Sequence, residues 1–230
     1  MTNIENDKIA ELKRQIEYLS QFILPERFET LSRTVSNRTK YMTLVAENMF
    51  HPQNASALVR HCEAFGVQTL HTVQTFCRFN PNVDIVRGTD KWIDMYHHTS
   101  TAEALQHLKG EGYRIIATSP HYQSCTPESF DVTKGKFAIV MGTEKTGISD
   151  EVMAAADEFL KIPMCGMVES LNVSACAAII IYMLSERMRH EVNGWQMTEA
   201  EQITTLYHWM IHSVKDARPL LERGGFICKD

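Results

Sequence analysis

The sequence predicts an α/β fold: a parallel sheet with helices on both faces, flanked by further helices at the N- and C-terminal ends. Three observations carry this expectation. From about residue 41, short strand-like stretches alternate with helix-like ones, the pattern of a parallel sheet covered on both faces. Before that point the apolar side chains recur at helical spacing instead. Apolar residues make up 44% of the 230 positions and charged residues 22%, enough for a sizeable core in one large domain or one domain with appendages.

Taken in order, residues 5–36 place Ile9, Leu12, Ile16, Leu19, Phe28 and Leu31 at helical intervals, and Pro25 divides the stretch into two short helices. Strands follow at 41–47 (YMTLVAE), 69–73 (TLHTV), 94–98 (DMYHH), 113–119 (YRIIATS), 136–141 (KFAIVM) and 158–163 (EFLKIP). The helices between and after them are expected at 54–65, 100–110 and 149–156, with a long apolar one at 172–190. A last amphipathic helix covers 198–222, opened by Thr198 with Glu201 three residues on, a capping-box pattern. The organisation is therefore an N-terminal helical extension over 1–40, a central α/β domain over 41–190, and a C-terminal helix and tail over 191–230.

The longest apolar run, SACAAIIIYML at 174–184, is shorter than the roughly 20 residues a bilayer span needs. The N-terminus is charged throughout and does not read as a signal peptide, so a soluble, cytoplasmic protein is expected. The six cysteines form no C-x-x-C pair and no metal-like spacing with histidine; they read as free, mostly buried thiols, with no metal site. A net charge of −5 argues against a chain-wide electrostatic grip on nucleic acid but leaves room for a local basic face.

In such sheets ligands sit outside the carboxyl ends of the strands, and three loops there are unusual. ENMFHPQNASALVRHCEAFG (47–66) offers Asn54 as a helix N-cap and Arg60 nearly two turns further on. Arg60 is either a surface cation snorkelling along its helix or a guanidinium that holds a phosphate bidentately. GTEKTGIS (142–149) has the glycine separation of a phosphate-binding loop, but Ile148 and Ser149 stand where Lys and Ser/Thr belong. Glu144 would repel phosphates and suits ribose hydroxyls or a cation better, while a plain turn capped by Ser149 is the simpler reading. KIPMCGMVESLNVSACAAIIIYML (161–184) concentrates Glu169, Ser170 and Asn172 ahead of a small-residue helix. One cap explains one of these polar residues, not three in four positions.

Read together, N-x5-R-x4-FG, MGTEKTGIS and IPMCGMVESLNVS resemble the SpoU branch of the SPOUT RNA methyltransferases, from about residue 26 to 222. GTDKW (88–92), ALQHLKGEGYRIIATS (104–119) and the flanking helices look most like the TrmH-type tRNA guanosine-2′-O-methyltransferases. The resemblance implies a C-terminal trefoil knot at about 136–190, although knots are rare in proteins generally. It also implies a homodimer, S-adenosylmethionine held by backbone near Thr118, Gly142, Ile162, Met164 and Leu171, and a catalytic and ribose site at Asn54, Arg60, Glu144, Ser170 and Asn172. The implied partner is RNA, most readily tRNA. RTVSNRTK, with Arg33, Arg38 and Lys40, is the best basic patch for it, and Arg87 and Lys91 are further candidates. The alternatives are the same 2′-O-methylation on ribosomal RNA, a non-catalytic RNA-binding relative, or another nucleotide-binding α/β protein. Against the last stand the missing G-x-G-x-x-G after the first strand and the failed phosphate loop.

Overall fold

The computed structural model describes residues 3–119, 125–143 and 145–226. Their packing separates two units, one made of residues up to Arg38 with those from Gln196 onward, the other of Thr39–Trp195.

In the first unit, α1 (Asn3–Ser20) and α2 (Pro25–Val35) are divided where expected, and Pro25 occupies the first turn of α2. Proline is tolerated there because that turn's N–H has no helical partner to lose. The second unit opens on β1 (Met42–Glu47) and α3 (Pro52–Ala64), then β2 (Thr69–Val73), the short helix α4 (Val83–Val86) and a 3-10 turn at Thr89–Trp92. It continues through β3 (Asp94–His98), α5 (Thr101–Gly110), β4 (Arg114–Thr118), β5 (Phe137–Met141), α6 (Asp150–Ala155), β6 (Glu158–Leu160) and α7 (Val173–Glu191). The chain then returns to the first unit as α8 (Glu199–Ser213) and α9 (Ala217–Arg223).

The capping box at the start of α8 is formed, with Thr198 and Glu201 satisfying each other's backbone N–H. The single helix expected over 198–222 is broken, however, between Val214 and Asp216. Pro219 explains the break: its ring would collide with the carbonyl of Lys215 in a continuous helix. Asp216 takes a left-handed φ of 56° to restart the chain.

All strand pairs are parallel, in the order β3-β2-β1-β5-β4-β6. Alternation along each strand sends side chains to two separate cores. Leu44, Ala46, Ile116, Ile139 and Met141 join Leu58, Val59 and Cys62 of α3 and Ile180, Ile181, Leu184 and Met188 of α7 on one face. Val45, Ile115, Ala117, Ala138 and Val140 join Ala104, Leu105 and Leu108 of α5 and Val152 of α6 on the other. Because β1 leads outward to β2 while β5 and β4 lie on its other side, the order reverses between β1 and β5. The carboxyl ends of those strands are where an open α/β sheet offers a crevice.

Among the described residues, no helix is long and apolar enough to cross a membrane, and no group of three or more His, Cys, Asp or Glu is placed to hold a metal ion. The expectation of mostly buried thiols needs correction. Of the described cysteines only Cys62 is buried; Cys77, Cys125 and Cys176 are partly exposed and Cys165 is exposed. Cys165 lies in the irregular segment before α7, where no sheet or helix covers it.

Polar side chains also enter the sheet edge. His71 of β2 and His98 of β3 are both buried and meet at 3.1 Å, with His107 of α5 tilted against each. Burial first, then the neighbouring His98 and His107, pushes the His71 imidazole down from 6.5 to about 3. Burial likewise lowers His98, opposed in part by Glu103. The folded chain therefore keeps His71 neutral while the unfolded chain takes up a proton below about pH 6.5. Stability is lost as pH falls from 6.5 toward 3, by up to about 1.4 kcal/mol per pH unit for one proton. In urea unfolding measured from neutral to mildly acidic pH, His71→Gln is expected to flatten this acid slope, and an unchanged slope would assign the loss to other groups.

Candidate active site

The site is assembled where β1, β5 and β6 end. After β1, Asn48 takes a left-handed φ of 49° and turns the chain toward α3. Pro52 occupies the first turn of α3 and His51 is its N-cap residue, without a side-chain cap bond. Asn54 is thus not the N-cap the sequence suggested, because the helix starts two residues earlier. Instead it is buried on the inner side of the first turn, where its Oδ1 accepts a 3.2 Å hydrogen bond from Asn172 Nδ2. Asn172 is the N-cap of α7, its Oδ1 accepting from Ser174 N at 2.8 Å and Ala175 N at 3.4 Å. One asparagine therefore starts a helix and also ties two motifs 118 positions apart.

The loop after β5 closes on itself. Thr143 N donates to Gly147 O at 2.9 Å and Gly147 N donates back to Thr143 O at 3.1 Å. The Thr143 and Thr146 hydroxyls meet at 2.7 Å inside this turn. Gly147 holds a φ of 73°, a conformation in which a Cβ is costly. Gly142 is needed for a different reason: a Cβ there would lie 2.2 Å from the Gly147 carbonyl carbon. The close approach at Gly142 is thus to the loop's own backbone. Ser149 caps α6, accepting from Val152 N.

Glu47 anchors the loop from below. Only 1% of its surface is exposed, yet it accepts hydrogen bonds from Ser149 N (2.9 Å), Ser149 Oγ (2.7 Å) and Thr101 Oγ1 (2.7 Å). A buried carboxylate is tolerated only with such a full set of donors. Glu47→Ala is expected to leave these donors unsatisfied and to lower unfolding free energy by roughly 1–3 kcal/mol, checked by denaturant titration. An unchanged midpoint would show the network dispensable.

Between these loops and the segment 161–172 lies a cavity of about 600 Å³. Its walls include Thr118 at the end of β4, Met141 and Gly142 at the end of β5, and Leu160 at the end of β6. The segment before α7 supplies Ile162, Met164, Ser170, Leu171 and Asn172. Thr118 spends its hydroxyl on Val140 O at 2.8 Å. The lining mixes aliphatic and methionine side chains with polar ones in similar numbers, the charged ones being Asp150, Glu169, Lys145 and Lys161. A slot of this size with both apolar and polar walls suits a small ligand that carries both kinds of group.

The SpoU rRNA Methylase family model matches residues 41–182, which span the whole of this arrangement from β1 into α7. The chain belongs to the SpoU methylase family. Its relatives include the tRNA (guanosine(18)-2′-O)-methyltransferase of Borreliella burgdorferi, 36% identical over 189 residues, 82% of this chain and 86% of the relative. The enzyme of the same name from Escherichia coli K12 is 34% identical over 188 residues, 80% of this chain and 81% of the relative. The crystal structure of the A. aeolicus TrmH/SpoU tRNA modifying enzyme superposes with a TM-score of 0.72 at 29% identity, covering 83% of this chain and 98% of that one.

In this SpoU methylase the five positions expected near the cofactor, Thr118, Gly142, Ile162, Met164 and Leu171, all line one cavity, with Ser170 and Asn172 beside them. Asn54 joins through Asn172. Arg60 does not line the cavity: it is exposed, and its Nη1 donates to Ile85 O at 2.8 Å. Six residues of helix rotate a side chain by about 240°, so Asn54 and Arg60 cannot share a face of α3. Glu144 lies outside the described residues. Of the basic positions, Arg33, Arg87 and Lys91 are exposed, and Lys40 is partly buried with its Nζ 3.5 Å from Asp94. Arg38 must be withdrawn from the RNA-facing set. It is 1% exposed, with its guanidinium 5.6 Å from the centre of the Trp209 ring.

Sequence reasoning passed over Glu47 and Asn48. The available signal was an acid at the end of an otherwise apolar strand, followed by an asparagine, a residue type tolerant of left-handed φ.

Proposed function

We propose that this chain transfers the methyl group of S-adenosylmethionine to the ribose 2′-hydroxyl of a guanosine in the D-loop of tRNA, the nucleoside named in its relatives. The observation that carries this reading is the single cavity that gathers Thr118, Gly142, Ile162, Met164 and Leu171 next to the Asn54–Asn172 pair. The cavity's size and its mixed lining fit an adenosyl group, with Ile148, Ile162 and Leu171 for the base and Asp150 and Glu169 for the hydroxyls and the ammonium of the same molecule.

The sulfonium, when bound, supplies the electrophilic methyl carbon. What the chain's residues do is orient and stabilise. Asn54 and Asn172 hold each other and the start of α7, so the polar segment at Ser170 keeps one position at the cavity wall. Arg60 is proposed to act as a cation, not as the base. Its proposed role is to hold a substrate phosphate and to stabilise the developing alkoxide as the methyl passes to the oxygen, the thioether departs and the proton leaves to solvent. Because Arg60 lies off the cavity wall, this role requires the Arg60 of the second copy in the proposed homodimer to reach the cavity. Glu144 is proposed as a ribose-site residue on its position in GTEKTGIS alone. Arg33, Lys40, Arg87 and Lys91 are the proposed RNA contacts.

The reading includes a homodimer and the family's trefoil knot over about 136–190. Leu171, Ile179 and Tyr182 leave apolar surface exposed along and before α7, which favours a second copy covering it. The test incubates the protein with methyl-labelled cofactor and separate tRNA and rRNA pools, followed by digestion to nucleosides. 2′-O-methylguanosine from the tRNA D-loop is expected. Label on rRNA alone would move the substrate, and label on no RNA would overturn the reaction.

A further inference from the structure

Beside the cavity, two phenylalanines project from loops at the carboxyl ends of β1 and β2. Phe50 is 47% exposed and Phe76 is 64% exposed, with ring centroids 5.9 Å apart and planes tilted by 45°. Exposing two large aromatic rings side by side is unfavourable in water, and the backbone beneath them is held too firmly for this to be a loose loop. Asn48, buried and in its left-handed conformation, accepts from Thr75 N at 2.9 Å and Phe76 N at 3.4 Å through one side-chain oxygen. Cys77 Sγ donates to Met49 O at 3.4 Å, and Phe79 N donates to Gln74 Oε1 at 3.3 Å while its ring enters the core. The two loops are thus bonded to one another, and Phe76 stands at the exposed tip between the anchors.

The surroundings of the pair are cationic. Lys145 Nζ lies 5.7 Å from the centre of the Phe50 ring, and Lys145 itself lines the cavity. Arg78 is exposed two residues beyond Phe76. Phe50 also precedes Asn54 by four positions, so the rings border the same loop that leads into the ribose-site helix. Aromatic faces flanked by cations are the pairing that single-stranded RNA uses, stacking for the base and charge for its phosphate.

We propose that Phe50 and Phe76 form a stacking platform for an unpaired base of the RNA substrate, adjacent to the nucleotide that is methylated, with Lys145 and Arg78 taking the phosphate beside it. The inference depends on the RNA methyltransferase reading above and deepens it by placing part of the substrate. The pair does not line the cavity, so cofactor binding is independent of it.

The test measures tRNA affinity, KM for tRNA, kcat at saturating tRNA and S-adenosylmethionine affinity for F76A, F50A and the double variant. Each single change is expected to raise the Kd and KM for tRNA by about 5- to 100-fold, the range of one lost base stack. Cofactor affinity and kcat at saturation should stay near the parent values. Phe76→Tyr, which keeps the ring, is expected to restore RNA affinity. Should F50A be unstable, F76A carries the test, since its side chain is the more exposed. A double variant that binds and methylates tRNA as the parent does would overturn the platform while leaving the methyltransferase reading intact. A double variant that becomes monomeric with unchanged RNA affinity would overturn it in favour of a subunit contact. A parent protein that methylates no RNA would overturn both.

Discussion

Arg60→Ala is expected to bind S-adenosylmethionine as tightly as the parent and to lose methyl transfer by on the order of 10²–10³ in kcat. The two halves of this expectation have separate structural reasons. Cofactor affinity should survive because Arg60 is not part of the cavity wall; its side chain reaches out to Ile85 O instead. Transfer should fail because the motifs otherwise supply no cation on α3 to meet a developing alkoxide. His61, next in sequence, is held below its ordinary value, first by burial and also by Arg60 itself, so it stays neutral. Arg60→Lys keeps the charge but not the planar fork and should recover only part of the rate. Calorimetric titration of cofactor and single-turnover transfer on tRNA separate these outcomes. Loss of cofactor affinity in Arg60→Ala would remove the residue from the chemistry and make it structural.

Gly142→Ala is expected to abolish cofactor binding. Its Cβ would meet Gly147 C at 2.2 Å, Ile148 N at 2.3 Å and Gly147 O at 2.4 Å. All three are backbone atoms, so no side chain can rotate away. The loop must open, breaking the paired Thr143–Gly147 hydrogen bonds and pulling Ser149 from Glu47. Overpacking of this kind costs roughly 1–3 kcal/mol, so the fold should survive with a lowered unfolding midpoint. The cavity wall formed by Gly142, Thr143 and residues 145–148 should not. A Gly142→Ala protein with unaltered cofactor affinity would show that the closed loop is not needed for binding.

These two residues differ in how far the sequence revealed them. The glycine pair in GTEKTGIS announced a backbone constraint, and Arg60 announced a cation near a strand's end, but neither announced its neighbour. Strand positions were legible because each strand lies in a covered parallel sheet and is bounded by turns. TLHTV and DMYHH match β2 and β3 to the residue. Boundaries failed where one residue overrode the pattern. Pro52 started α3 ahead of Asn54, and Pro219 cut the last helix in two. Burial failed where charge was taken as a proxy for exposure: Arg38 sits against Trp209, a residue 171 positions away in sequence.

The sequence by itself determined the layered α/β architecture, through alternation that sends Leu44 and Val45 to opposite cores. It also determined the local devices that depend on a few adjacent residues, such as the Ser149, Asn172 and Thr198 caps. Only the tertiary structure decided that Asn54 and Asn172 share a hydrogen bond, that Glu47 holds the loop after β5, and that Phe76 stands beside Phe50. The physical reason is range. Periodicity and capping are encoded within a few residues, whereas these contacts follow from the strand order, which brings the ends of β1, β2 and β5 together.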